Sequence, residues 1–493
     1  MTIASYLAVM MAIFIPALLY FAKARAEQKN IKGIQDFFPL KRSLSTGEYR
    51  STTVAAGMSL ATVFIAFINL APFLGFTLII SVVTFAISFL LLYFFVPKIM
   101  KLNPDNESIQ TYLGKSYQSK SIRKVAIFFT LIGYISIFCM ELIVGVTVLE
   151  PFLGNYVIAF SAVYLVFVIV YSLMSGYRAV IATDVWQLRF VVVGIGILYI
   201  FAVWKIFGTQ QSATVSQLAA DISNSWVPAW SFVFGITAMN LPAPISDTGT
   251  WQRLCSTRDS KTAQKGVLHV AFMFILFWGA LVFIGVSLSK IALSAGFNPA
   301  SGSLMSWVIT SLTSGGAFGL ILLFALFLGL FSAMISTADS LLIVAGQLLA
   351  IDILELANRG NNTQDILRKA RIAMAVIAII SFFLFSIFYL LKFDVVQLVF
   401  SVYGAQLAMF PSVLASLCLR NRMDLTKASF AGMLSILCGF SAGWVSALYG
   451  KFGGNPNWLY NSPVCALAVS TIVFLLFSIP AWSVTARPKK SIL

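Results

Sequence analysis

The chain has 493 residues, 59% of them hydrophobic and only 10% charged, and 33 Lys and Arg against 17 Asp and Glu give a formal charge of +16. Its mean hydropathy is +0.92. These values exclude an ordinary soluble globular domain and predict an all-α, polytopic membrane protein. The excess charge reads as a topological device with some attraction to anionic lipid rather than as a nucleic-acid footprint.

Taken in chain order, stretches of about 20 apolar residues, long enough to cross the hydrocarbon, fall near 2–22, 52–73, 76–98, 124–148, 155–174 and 185–206. They continue near 228–250, 267–289, 318–350, 370–391, 395–418, 428–449 and 461–482. About thirteen spans place the two termini on opposite sides. Lys and Arg near span ends are retained in the cytoplasm. With the amino terminus outside, only Lys205, Lys290, Lys392, Lys451 and the span residue Arg189 fall away from the inward segments. A multi-pass protein of the cell membrane with a cytoplasmic carboxy terminus follows. Positions 1–22 lack a basic n-region and a clear cleavage site, so they read as a retained span rather than a signal peptide.

Every loop is short, which leaves a single transmembrane domain over 1–493. The additional helix 2–22 and the carboxy-terminal pair 428–482 flank ten spans. These divide into five-helix blocks, 52–206 and 228–418. Five is odd, so the second block crosses in the opposite sense to the first. That is the topological precondition for a five-plus-five inverted repeat.

Helix breakers fall in the first span of each block. One runs through Ala55–Ala61; the other runs through Met239–Arg253, with Pro242, Pro244 and Gly249 inside it. A proline removes a backbone donor, and a broken helix within a membrane exposes carbonyls able to coordinate a cation. The stretch SAMISTADS, Ser332–Ser340, puts hydroxyls and a carboxylate inside an apolar run. Lipid offers such groups no partner, so they must face protein, a cavity or an ion.

The five cysteines show neither metal spacing nor CxxC, and His269 starts a span as an interfacial side chain. No Ser/Lys pair, HExxH or histidine cluster suggests catalysis, and no enzyme activity is expected.

Three segments together resemble the sodium/solute symporter family, which includes bacterial proline and sialic acid carriers and the animal sodium/glucose carriers. They are SGYRAVIATDVWQ (Ser175–Gln187), WQRLCSTRDSKTAQKG (Trp251–Gly266) and SAMISTADS. The resemblance implies an inverted-repeat fold in which Na+ drives uptake of a small polar solute. It also implies a sodium site made by the hydroxyls of Ser336 and Thr337 and the carbonyls of Ala333, Met58 and Ala61. The alternative for the two hydroxyls is bonding back to the preceding helical turn. A second cation or proton site in some relatives maps to Asp184, facing Ser336, Asp339 and Ser340. Here Asp339 departs from the simple hydroxyl pattern, and Arg189 could instead neutralise one carboxylate.

For the solute, the resemblance points to Asn240 and Gln397 as substrate-facing positions. Ala243 and Leu60 stand where many relatives carry an aromatic gate and an aspartate, which argues against copying a sugar or proline specificity. Glu141, deep in a span, is either protonated and bonded to Tyr134 or a facing helix, or receives an amine-bearing solute. Asp247 either pairs with Arg253 or lines an inner vestibule. Trp226, Trp230 and Tyr460 read as interfacial anchors, and 291–317 as an outer lid. A proton-coupled carrier of the same fold and a transporter-like sensor are the competing functions.

Overall fold

The computed structural model describes residues 2–38, 41–208, 229–356, 363–391, 399–400, 407–453, 455 and 457–482. Gln397 and Trp226 therefore lie outside the described residues. Those described are helical, with one isolated bridge between Leu44 and Thr257. The helices include α1 Ile3–Gln28, α2 Thr46–Gly57, α3 Leu60–Leu74, α4 Ile79–Leu102, α5 Lys120–Leu153, α6 Val157–Gly208, α7 Trp230–Asn240 and α8 Ala243–Ser246. They continue as α9 Thr248–Cys255, α10 Ser260–Ser294, α11 Leu304–Thr313, α12 Gly316–Gln347, α13 Thr363–Leu390, α14 Phe410–Cys418, α15 Ser429–Phe452 and α16 Ser462–Ser478. Among the described residues nine helical stretches are long and apolar enough to cross a membrane, or ten with the bent pair α2/α3. The protein is a multi-pass membrane protein.

One of those stretches, Lys120–Met174, has 55 residues, about 80 Å if straight against a hydrocarbon core of about 30 Å. Contacts with α12 show how it is accommodated. Gly145 lies against Met334 and Phe152 against Phe327, so α5 runs antiparallel to α12. Tyr164 meets Phe331 and Tyr171 meets Asp339, so the first arm of α6 runs parallel to it. Gly194 then meets Gly329 and Trp204 meets Phe318, antiparallel again. The chain thus reverses near Gly154 (φ 50°) and Gly176 (φ 55°), left-handed conformations that glycine adopts without steric cost. At Gly176 a Cβ would also sit 2.3 Å from the Phe37 carbonyl oxygen. The linker after α1 packs directly on that reversal.

The centre of the bundle is α12. Of its most apolar window 67% is buried, against 28–44% in the other candidate spans. Gly194 and Gly329 let α6 and α12 cross backbone to backbone, the small-residue packing that substitutes for hydrophobic driving force in lipid. Phe94, Phe272, Phe383 and Ile321 face outward on the exposed surface, where lipid would cover them.

Both expected helix breaks are present. A capping box between Ser45 and Glu48 starts α2, which stops at Gly57. Met58 then leaves helical geometry (φ −95°, ψ 50°), and Ser59 caps the next segment by accepting from the Thr62 amide at 2.9 Å. The axes of α2 and α3 differ by 59°. The second break separates α7, α8 and α9 around Pro242 and Asp247, and the Asp247 side chain caps α9.

Candidate functional site: a cavity between two broken helices

A cavity of about 620 Å3 lies between the two breaks, within the range of small-molecule sites. Its wall combines aromatic surface, including the stacked pair Phe85 and Trp278 (4.4 Å between centroids), with a few polar groups. Asn240 and Ser81 are among them. The Asn240 amide nitrogen is committed to α4, donating to the Ser81 carbonyl at 3.0 Å and to the Ser81 and Thr84 hydroxyls at 3.2 and 3.1 Å. That side chain fastens the broken helix beside the cavity. Within the expected lid, α11 forms, its N-cap Ser303 and its Ser306 join the wall, and Asn69 of α3 accepts from the Met305 amide at 3.0 Å.

All five expected sodium ligands, Met58, Ala61, Ala333, Ser336 and Thr337, are buried, and of them Ala61 and Thr337 contribute to the cavity wall. The Thr337 hydroxyl lies 3.3 Å from the Ala56 carbonyl at the break and 3.2 Å from the Ala333 carbonyl one turn back in its own helix. Both the bridge to the break and the helical back-bond are therefore within reach. Ser336 points elsewhere: its hydroxyl donates to Asp184 at 2.7 Å.

Asp184 also accepts from the Thr52 hydroxyl, which ties α2, α6 and α12 at one point. Asp339 accepts from the Tyr171 hydroxyl and, at 3.5 Å, from the Gln187 amide, leaving its second oxygen buried and without a partner. Ser340 faces the cavity, its hydroxyl also unpartnered. Asp184 and Asp339 have no basic group within 4.0 Å among the described residues. Arg189 does not neutralise either of them. It is exposed on the outer side of α6, with its guanidinium 4.6 Å from the Trp186 ring.

Glu141 is fully buried and absent from the cavity wall among the described residues. It accepts from the Ser59 hydroxyl, and the Leu60 and Ala61 amides face its carboxylate. Of the two partners expected for it, the facing helix is the one used. Tyr134 lies two turns away, about 10 Å along α5, and donates instead to Asp247 at 2.7 Å. Helix N-termini favour negative groups, so Glu141 belongs to the break itself.

Asp247 lines the cavity, and its expected pair with Arg253 is not formed within 4.0 Å. Its donors are Tyr134, the Thr250 amide at 2.6 Å and the Thr250 hydroxyl at 2.7 Å, three bonds that cap α9 and hold it to α5. Sequence reasoning missed Thr52, Tyr171, Gln187 and Ser59. Gln187 alone left a signal, standing one turn from Asp184 on the same helical face.

Comparison with known proteins agrees with this architecture. The sodium:solute symporter family matches residues 41–435. A Na+-coupled sialic acid symporter in a substrate-bound outward-open state superposes with a TM-score of 0.78 at 18% identity, covering 97% of this chain and 99% of that one. The nucleobase-cation-symport-1 transporter MHP1, with bromovinylhydantoin bound, gives 0.56 at 13% identity, covering 90% and 96%. MhsT in complex with L-phenylalanine gives 0.54 at 12% identity, covering 88% and 99%. At such identities these likenesses speak to the fold. A search of curated protein sequences finds no match. The match over most of its length places the chain, as a transporter and not an enzyme, in the sodium:solute symporter family.

Proposed function

We propose that the protein is a secondary active transporter that couples Na+ entry to uptake of a small polar organic solute by alternating access. Thirteen spans build it, ten of them as a five-plus-five inverted repeat over 52–206 and 228–418, with the amino terminus outside the cell membrane and the carboxy terminus in the cytoplasm. The reversals at Gly154 and Gly176 and the paired breaks in α2/α3 and α7–α9 support that topology. One observation carries the function: the Thr337 hydroxyl reaches from α12 to the Ala56 carbonyl at the break of α2/α3. A hard cation held there by Met58, Ala61, Ala333, Ser336 and Thr337 would join the two elements, and Ser336 would turn from Asp184 to reach it.

Asp184, Asp339 and Ser340 form the second cation or proton site of this reading. Two buried carboxylates without a basic partner within 4.0 Å favour a positive species there, and this is the observation behind proton coupling as the second reading. The solute occupies the cavity beside Asn240, with Asp247 at the α9 end; Gln397 completes the set. Glu141, bonded at the helix break, lends no support to an amine-bearing solute. The test is Na+ binding and uptake by protein in liposomes, with Na+ replaced by choline or K+. Saturable stabilisation by Na+, with half-saturation raised at least tenfold in Thr337→Ala, is expected. A response to a pH gradient that is indifferent to Na+ would overturn the first reading in favour of the second.

A further inference from the structure

The described cavity wall carries two charged side chains, Asp247 and Arg253. They are in unequal condition. Asp247 has three donors, as above. Arg253 is only 8% exposed, yet it makes no hydrogen bond and has no carboxylate within 4.0 Å among the described residues, and its Nε is buried without a partner. Asp184 and Asp339 take their bonds from Thr52, Ser336, Tyr171 and Gln187.

The local backbone keeps this guanidinium accessible. A Cβ on Gly249 would stand 3.2 Å from Arg253 Nη1 and 3.4 Å from Asp247 Oδ2, so the missing side chain leaves a slot in the wall between the two charges. Thr53, also on the wall, has a buried hydroxyl with no partner. The cavity wall thus carries idle donors on both α2 and α9. Arginine stays charged in proteins and presents five donors in a planar fork, which a carboxylate meets bidentately. Leaving that fork buried and unpaired is costly.

We propose that the solute carries a carboxylate, which docks on Arg253 at the α9 end of the cavity, with the Thr53 hydroxyl as a further donor. A solute that also bears an ammonium is accommodated, because Asp247 flanks the same slot; the carboxylate is the required part. The proposal rests on reading the cavity as the solute pathway.

The test uses the purified full-length protein and acetate as the probe, a carboxylate small enough to enter without the rest of any solute. At constant Na+, replacing chloride by acetate raises the melting temperature saturably, by about 2 °C or more. Uncharged methyl acetate and methylammonium chloride have no such effect. The acetate shift is lost in R253Q and partly kept in R253K. No acetate shift in the wild type, an equal shift in R253Q, or an Arg253-dependent preference for chloride overturns the proposal. If R253Q does not purify, the wild-type comparison of acetate with its methyl ester decides alone. Exchanging Na+ for choline separates the two readings. An acetate response without a Na+ response removes Na+ coupling and leaves the carboxylate site; the converse removes the carboxylate site.

Discussion

The two faces of α12 are built to opposite ends. Thr337, Ser340, Leu341 and Val344, spaced by three and four residues, face the cavity, and the Ser340 hydroxyl there is idle. Ser332, Ser336 and Asp339 lie on a neighbouring face and are bonded to Tyr20, Asp184 and Tyr171 respectively. One helix thus carries an open polar face, ready for a visitor, beside a closed one fixed by contacts to α1 and α6. Polar residues in a membrane helix need not share a purpose, and adjacent residues such as Ser336 and Thr337, about 100° apart around the axis, can fall on different sides of that division.

The contrast can be attacked at several strengths. The closed face depends first on close packing, since a Cβ at Gly329 would lie 2.6 Å from the Gly194 Cα. Gly329→Val is expected to abolish the folded protein or cost at least about 3 kcal/mol, read by fluorescence-detected size exclusion and thermal melting. Next, Ser336→Ala leaves an Asp184 oxygen short of its donor, a loss of about 1–3 kcal/mol in stability. Ser336→Ala also removes a proposed Na+ ligand and raises half-saturation, whereas Thr337→Ala should raise it at least tenfold with the melting temperature close to wild type. Equal stability losses in both variants would erase the distinction between the faces.

Tyr171→Phe removes one donor from Asp339 and is expected to cost about 1–2 kcal/mol, with the Na+ response intact. A large change in Na+ half-saturation would assign the second site at Asp184, Asp339 and Ser340 to Na+; an intact response leaves it to a proton. The smallest effect lies outside the membrane, where the linker meets the reversal of α6. Burial alone raises the Asp36 carboxyl, but Lys41, the Lys32 amide and Arg178 outweigh it and hold the group below its ordinary value of 3.8. The stabilisation is therefore complete above 3.8 and is lost as pH falls through the lower folded value. Melting curves of wild type and Asp36→Asn should differ by about 1 kcal/mol near neutrality and converge in acid. A gap that persists in acid would remove the carboxylate from the account.

Most of the fold was legible because the membrane imposes simple rules. Apolar length marked the nine or ten spans found among the described residues, and Gly57 and Pro242 marked the breaks. The family followed from three short motifs. The site was legible by residue type but not by partner. Glu141 and Asp247 were visible as carboxylates in apolar surroundings, and the sequence offered Tyr134 or a facing helix to the first and Arg253 or a vestibule to the second; the fold joins Tyr134 to Asp247 on the cavity wall and gives Glu141 to Ser59 of the facing helix. Each pairing joins helices far apart in the chain, at a depth set by tilt and rotation. Spacing along one helix carries no information on either. Arg189 shows the same limit, since its neighbour is decided by the outer face of α6 and not by its distance in sequence from Asp184.

The Thr337 hydroxyl has a single proton to offer two carbonyls, Ala56 at 3.3 Å and Ala333 at 3.2 Å. It behaves as a two-position latch, serving the break in one setting and its own helix in the other. A cation arriving on the oxygen lone pairs needs that proton turned aside, and the Ala333 carbonyl then gains the ion as a partner while Ala56 is left to the proton. Ion arrival and the setting of the α2/α3 angle would on this geometry be a single event.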